Sequence, residues 1–248
     1  MSEASFCVCA DAREEKGYQD ALRGSLADAL ITDPPYCLLT RRRKGGDLRD
    51  KRLRKIDRDP VLRFENVREY RSFTEAWMGR VAHHLRKDAP WIVWTNLLGR
   101  EPLLTAARTL GYQHLWGEFV WAKRTKDNPG GEQVLRVYEF ALVLSTQPPP
   151  VKTPETLPIG WSVVSGYQDG EAVTAGSHPH HKPFAVLEPL VRQYTQVGGV
   201  VLDPFAGSGS IPVACRRLQR QVACLELVPE WVEMTNHRLG HPLPAVSG

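Results

Sequence analysis

Cysteine is scarce in this chain and poorly placed for a scaffold. Of 248 residues five are cysteines (Cys7, Cys9, Cys37, Cys215, Cys224), an odd number with no C-x-x-C pair. That argues against a disulfide frame or a thiolate zinc site and for free thiols in a reducing cytoplasm. Long apolar runs are missing too. No stretch approaches a membrane span, so no membrane partner is expected. Met1-Ser2-Glu3-Ala4-Ser5 lacks the basic start and apolar stretch of a signal peptide. No internal repeat is visible. What remains is ordinary for a globular protein: hydrophobic residues make up 42% and charged residues 24%. A single α/β domain over residues 1–248 with a real core fits that length.

The net charge is only +4, but it is unevenly spread. Between Arg41 and Arg58 stand ten Lys or Arg against three Asp, a local +7 that leaves −3 elsewhere. A basic segment on a slightly acidic body suits contact with a polyanion at one place. A solvated loop without a partner accounts for the same composition equally well. The segment lies in a stretch without periodicity, read as a basic, mobile loop over 37–70.

Elsewhere strands and helices alternate. Apolar runs at 6–10, 29–32, 91–94, 199–202 and 222–225 read as strands. Phe73, Trp77, Val81 and Leu85 share one helical face, with Pro90 as the stop. Further helices carry Leu104, Ala107 and Leu110; then Phe184, Leu187, Val191 and Tyr194; then a run from Pro212; then a final one through Trp231 and Leu239. Residues 115–121 and 137–144 read as two strands flanking the polar loop 123–131, an antiparallel edge on a mostly parallel sheet. Residues 147–177 are rich in Pro, Gly and Ser and read as an irregular insert. The pattern predicts a doubly wound α/β sheet.

Two strings carry chemistry, each where a strand runs into a turn. Such turns present ligands in open α/β sheets. In the second, Asp203-Pro204-Phe205-Ala206-Gly207-Ser208-Gly209-Ser210, small residues let the backbone approach a ligand, and the following helix offers free N–H groups. Glu226 ends the next strand nineteen residues after Gly207, near the offset at which an acid takes ribose hydroxyls. Leu227 follows it. A dinucleotide fingerprint needs glycine at 212, where this chain has Pro212. Asp203 suits a ligand with a cationic amino group and sulfonium better than a pyrophosphate. The first string is Asp33-Pro34-Pro35-Tyr36. A chance match to those four letters anywhere in the chain is roughly one in a thousand.

Together with His178-Pro179-His180-His181-Lys182-Pro183, these strings resemble the exocyclic-amino DNA methyltransferases. The catalytic string before the cofactor loop is similar to their circularly permuted beta group. The resemblance implies a Rossmann-like methyltransferase fold using S-adenosyl-L-methionine and acting on double-stranded DNA, site-specifically, as in restriction-modification. A homodimer is compatible with it. It places the cofactor on 203–210 and on Glu226 and Leu227. Asp11 would hold the adenosine part, and His178, Lys182 and Pro183 would line the methionine end. Ser210 stands where threonine is usual, and Cys224 where glycine is common. The histidines lack the Cys or carboxylate neighbours that would complete a tetrahedral site, so no metal is expected.

A nucleobase amino group is a poor nucleophile because its lone pair is delocalised. Accepting its hydrogens out of plane favours a pyramidal nitrogen. Asp33 offers a carboxylate and Pro34 a carbonyl, with Pro35 biasing residue 34 toward extended geometry. Tyr36 offers a face for a base rotated out of the duplex. Adenine N6 is the expected target, since in the resembled family cytosine-N4 enzymes more often carry serine first. Cytosine N4 methylation, an RNA N6-adenine enzyme and an inactive DNA-binding relative are the alternatives. Arg41, Arg42, Arg43 and Lys44 are expected on phosphates. Lys123, Arg124 and Lys126, with the insert 147–177, are expected in target recognition.

Overall fold

The computed structural model describes residues 5–40, 62–122, 138–148, 161–162 and 181–240. Its strands are β1 (Phe6–Cys9), β2 (Ala29–Thr32), β3 (Trp91–Thr95), β4 (His114–Ala122), β5 (Tyr138–Ser145), β6 (Trp161–Ser162), β7 (Val200–Asp203) and β8 (Gln221–Glu226). The helices are α1 (Glu15–Leu22), α2 (Val67–Ala82), α3 (Leu97–Thr109), α4 (Phe184–Tyr194), α5 (Ser210–Arg217) and α6 (Pro229–Gly240). The strands form one sheet in the order β1-β8-β7-β2-β3-β5-β4-β6. All described pairings are parallel except those made by β5, which runs against both β3 and β4. The predicted antiparallel pair is therefore present, with its reversed member inside the sheet and not at its rim.

Side chains alternate faces along a strand, and here both faces are covered. That is why the central strands read as unbroken apolar runs. Leu30, Trp91, Val93, Leu142 and Leu202 face α1, α2 and α3 through Tyr18, Trp77, Val81 and Leu103. Ile31, Ile92, Trp94, Val143 and Val201 face α4, α5 and α6 through Leu187, Val191, Ala214 and Leu239. No helix among the described residues is long and apolar enough to cross a membrane.

Several elements depart from the expected bounds for local reasons. Helix α2 starts at its N-cap Asn66, whose side chain accepts from the Glu69 N–H. It ends at Ala82, well before Pro90, because the next residues pair elsewhere. Ala27 N–H donates to the His84 carbonyl and Arg86 N–H to the Ala27 carbonyl. Leu85 therefore belongs to a bridge against the approach to β2. Helix α5 begins at Ser210, two residues before Pro212, which is tolerated in a first turn. Helix α1 and the two-residue β6 had no counterpart in the sequence pattern.

Candidate active site

Strand β2 leads through α2 to β3 on one face, and β7 leads through α5 to β8 on the other. The strand order thus reverses between β7 and β2, which lie side by side with Leu30 opposite Leu202. A crevice at the carboxyl ends of the strands at such a point is where open α/β sheets bind ligands. Both predicted strings sit there. Thr32, immediately before Asp33, donates from its hydroxyl to Asp203 Oδ1 at 2.7 Å, joining the two strands at the site.

The glycine turn after β7 is held mainly by backbone. Ala206 N–H donates to the Leu225 carbonyl at 2.9 Å and Gly209 N–H to the Ala206 carbonyl at 2.8 Å. Gly207 and Gly209 have φ of 52° and 81°, the left-handed region that glycine enters without a Cβ penalty. A Cβ on Gly209 would meet Thr235 Oγ1 at 2.9 Å. Helix α6 braces the same turn: Thr235 Oγ1 donates to the Gly207 carbonyl at 3.0 Å, and Arg238 donates to the Ser208 carbonyl.

Glu226 ends β8 as expected. One of its oxygens accepts from Gly207 N–H at 2.8 Å and the other from Val228 N–H at 2.9 Å. A carboxylate oxygen keeps further acceptor capacity after one bond, so a ligand's hydroxyls can still be taken. Asp203 is fully buried, which pushes its pKa up to about 7 against the opposing bonds from Thr32 and the Phe205 N–H. Its Oδ2 has no hydrogen-bond partner among the described residues. A ligand with a donor amino group and ribose hydroxyls fits this set: glycines close to its backbone, Glu226 for hydroxyls, and Asp203 Oδ2 for a donor.

Asp11 lies at the exit of β1, beside β8, where Ala10 N–H donates to the Glu226 carbonyl at 3.0 Å. Its carboxylate is already engaged by the Arg13 side chain at 2.5 to 3.2 Å and by the Arg13 N–H. Those bonds to Arg13 hold its pKa below the usual carboxylate range. Phe205 packs against Phe73 and Trp77 of α2, Pro204 and Ala206 are buried, and Leu227 is exposed. Pro183 caps α4 through its carbonyl. Ser210 Oγ lies 2.8 Å from His181 Nδ1, 3.3 Å from Ser208 Oγ, and accepts from the Lys182 N–H at 3.3 Å. A hydroxyl at 210 therefore ties the cofactor loop to the upstream histidine string.

Lys182 is directed to the other string. Its Nζ donates to Asp33 Oδ2 at 2.5 Å, to Glu139 Oε2 at 3.0 Å and to Tyr36 Oη at 3.3 Å. It also lies 4.7 Å from the centre of the Trp94 ring. Burial alone would pull its pKa down, but the paired carboxylates of Asp33 and Glu139 outweigh that and raise it. Tyr36 donates to Glu139 Oε2 at 3.0 Å. Its pKa is pushed well up by burial of the hydroxyl and by the neighbouring carboxylates. Asp33 Oδ1 is buried and has no hydrogen-bond partner among the described residues. Just beyond, Asn96 caps α3 and donates from Nδ2 to the Cys37 carbonyl at 3.1 Å, fixing the turn that carries the string.

Sequence reasoning missed Thr32, Trp94, Asn96 and Glu139 as parts of this site. The available signals were slight: polar Thr32 and Glu139 at the ends of apolar strands, and Asn96 before an apolar helix start. His178, Arg41, Arg42, Arg43, Lys44, Lys123, Arg124 and Lys126 lie outside the described residues.

Two βα turns, one glycine-rich and bonded to Glu226, the other carrying a buried carboxylate, thus meet across one switch point of a doubly wound α/β sheet. Residues 27–237 match the family described as DNA methylase, the N6/N4 methyltransferases, and the chain belongs to that family. It is 27% identical over 231 residues to YubD of Escherichia coli (strain K12), a protein named as a methylase, covering 87% of this chain and 83% of that one. Its fold is similar to that of M1.HpyAVI, solved as a complex with SAM, at a TM-score of 0.65 and 20% identity over 95% of this chain and 99% of the other. It is equally similar to the cytosine-N4-specific PvuII DNA methyltransferase, at 0.66 and 17% over 96% and 87%.

Proposed function

We propose that this DNA methyltransferase transfers a methyl group to adenine N6 in duplex DNA. The observation that carries this reading is Asp33 Oδ1: a buried carboxylate oxygen without a partner among the described residues, at the carboxyl end of β2, across the switch point from the glycine turn. Bound S-adenosylmethionine supplies an electrophilic methyl on a sulfonium. The residues that would hold it are Asp203, Phe205 to Ser210, and Glu226. Asp11 joins them once Arg13 yields its carboxylate.

The chain's own part in the reaction is positioning and charge. Asp33 Oδ1 accepts one hydrogen of the amine and the Pro34 carbonyl the other, localising the nitrogen lone pair. As nitrogen gains its fourth bond it becomes cationic, and Asp33 takes the surplus proton before passing it to solvent. Tyr36 stacks on the base, which must leave the duplex at a cost of a few kcal/mol. No covalent nucleophile is needed, and Cys37 is buried against Phe64 and Tyr70. Asp33, where the cytosine-N4 enzymes of the resembled family more often carry serine, supports adenine over cytosine.

The predicted phosphate-binding residues 41–44 and most of the predicted recognition loops 123–131 and 147–177 lie outside the described residues, so a DNA partner is read from the family and the catalytic turn. The free cysteines accord with work in a reducing cytoplasm. Methyl incorporation into duplex DNA, single-stranded DNA and RNA, followed by digestion to nucleosides and mass spectrometry, tests the reading. N6-methyladenine from duplex DNA is expected. Dominant N4-methylcytosine would overturn the base assignment, and a preference for RNA would overturn the partner.

A further inference from the structure

Glu139 belongs to none of the sequence strings, yet it meets Tyr36 of the catalytic turn and the Lys182 that holds Asp33. It stands near the start of β5, its side chain 13% exposed, and Oε2 accepts from Tyr36 Oη and from Lys182 Nζ, each at 3.0 Å. Lys182, 2% exposed, bridges from there to Asp33 Oδ2. One ammonium therefore lies between two carboxylates. Asp33 alone would pair Lys182, so Glu139 adds a second fixed contact to the same ammonium.

Its geometry shows what it adds. An ammonium with one partner can swing about it, whereas an ammonium fixed between two carboxylates has one position. Held there, Lys182 binds Asp33 through Oδ2 and leaves Oδ1 for the substrate. The Tyr36 hydroxyl is tied to the same oxygen of Glu139, so the ring that faces the base is set from the same anchor.

We propose that Glu139 is a positioning residue for methyl transfer: through Lys182 it aims Asp33, and through Tyr36 it orients the ring that receives the base. This rests on the reading that Asp33 takes the target amine. The step itself balances without it. The N–C bond forms as the C–S bond breaks, the sulfonium becomes a thioether, and the amine's proton leaves through Asp33. Glu139 exchanges no atom.

Glu139→Gln keeps the shape and removes the charge. Its kcat on duplex DNA should fall at least tenfold, while the dissociation constant for S-adenosylhomocysteine and the melting temperature stay close to wild type. Glu139→Asp, which restores the charge on a shorter arm, should recover part of the loss. Adding Tyr36→Phe to Glu139→Gln should cost less than the product of the two single effects, because both act through one contact. A Glu139→Gln kcat within twofold of wild type overturns the proposal. So does a loss shared equally by cofactor binding and melting temperature, which marks a merely structural role. Should Glu139→Gln fail to fold, Tyr36→Phe carries the test on the same readouts, since it removes one of the two donors to Glu139. Product analysis of the wild type separates the two readings. N4-methylcytosine together with an impaired Glu139→Gln enzyme supports this role while removing the adenine assignment. N6-methyladenine with an unimpaired Glu139→Gln enzyme removes this role alone.

Discussion

The two halves of the site are built by opposite means. After β7 the cofactor turn owes its shape to backbone: glycines at positive φ, N–H groups bonded to carbonyls of β8 and of its own turn, and a brace from α6. After β2 the catalytic turn owes its properties to side-chain charge, with Lys182, Asp33, Glu139 and Tyr36 fastened to one another in the interior. The first half should be sensitive to shape and forgiving of small electrostatic changes. The second should lose rate to a single isosteric change of charge and keep its fold.

Asp33→Ala presses this difference hardest. It removes the carboxylate proposed to accept the amine hydrogen, and loss of one preorganised polar contact typically costs about a hundredfold or more in kcat. Titration with S-adenosylhomocysteine should show affinity near wild type, and a turnover close to normal would remove Asp33 from the chemistry. Glu226→Ala should reverse the pattern. A hydrogen bond to a charged group contributes about 1.5–3 kcal/mol, so cofactor affinity should drop by about ten- to a hundredfold, measurable by calorimetry. Turnover at saturating cofactor should change far less.

Gly209→Ala tests shape directly. It forces a side chain into φ 81° and within 2.9 Å of Thr235 Oγ1. A strained backbone residue costs about 1–3 kcal/mol, which should appear in chemical denaturation together with weaker cofactor binding. An unchanged midpoint would show that the turn is pliable.

The smallest effect concerns Asp203, whose pKa burial lifts to about 7 from an ordinary value near 4. The folded state holds this proton more tightly than the unfolded chain does. Its contribution to stability is therefore full below the unfolded pKa and is lost as pH rises through the folded one. Between pH 6 and 8, without cofactor, the protein should lose about 1 kcal/mol from this group. Asp203→Asn should flatten that part of the stability profile. An identical slope in the variant would assign the dependence to other groups.

The difference between the halves also explains what the sequence could reveal. Asp33 to Tyr36 and Asp203 to Ser210 are contiguous, and each follows an apolar strand, so both could be read before any fold was known. Glu226 could be read because the span of one βα unit fixes its offset. Glu139 could not, because its meaning comes from Tyr36, 103 residues away in sequence. Thr32 likewise gains its role from Asp203 at a separation of 171. The reach of α2 was overestimated because periodicity through Leu85 is blind to the bridge with Ala27. Lys182, read by resemblance at the methionine end of the cofactor, reaches both strings: its N–H donates to Ser210 and its ammonium to Asp33 and Tyr36.

The order β1-β8-β7-β2 has a consequence for how the molecule comes into being. During synthesis β1 and β2 emerge first, and the two strands that belong between them follow well over a hundred residues later. Until then the sheet has a gap two strands wide, with apolar edges awaiting partners. Closing such distant pairings carries a high loop-closure cost and is slow. Asp33 and the glycine turn come together only when β7 enters that gap, so the nascent chain has no completed active site before its sheet closes. A protein that modifies DNA thus gains its activity in one late assembly step.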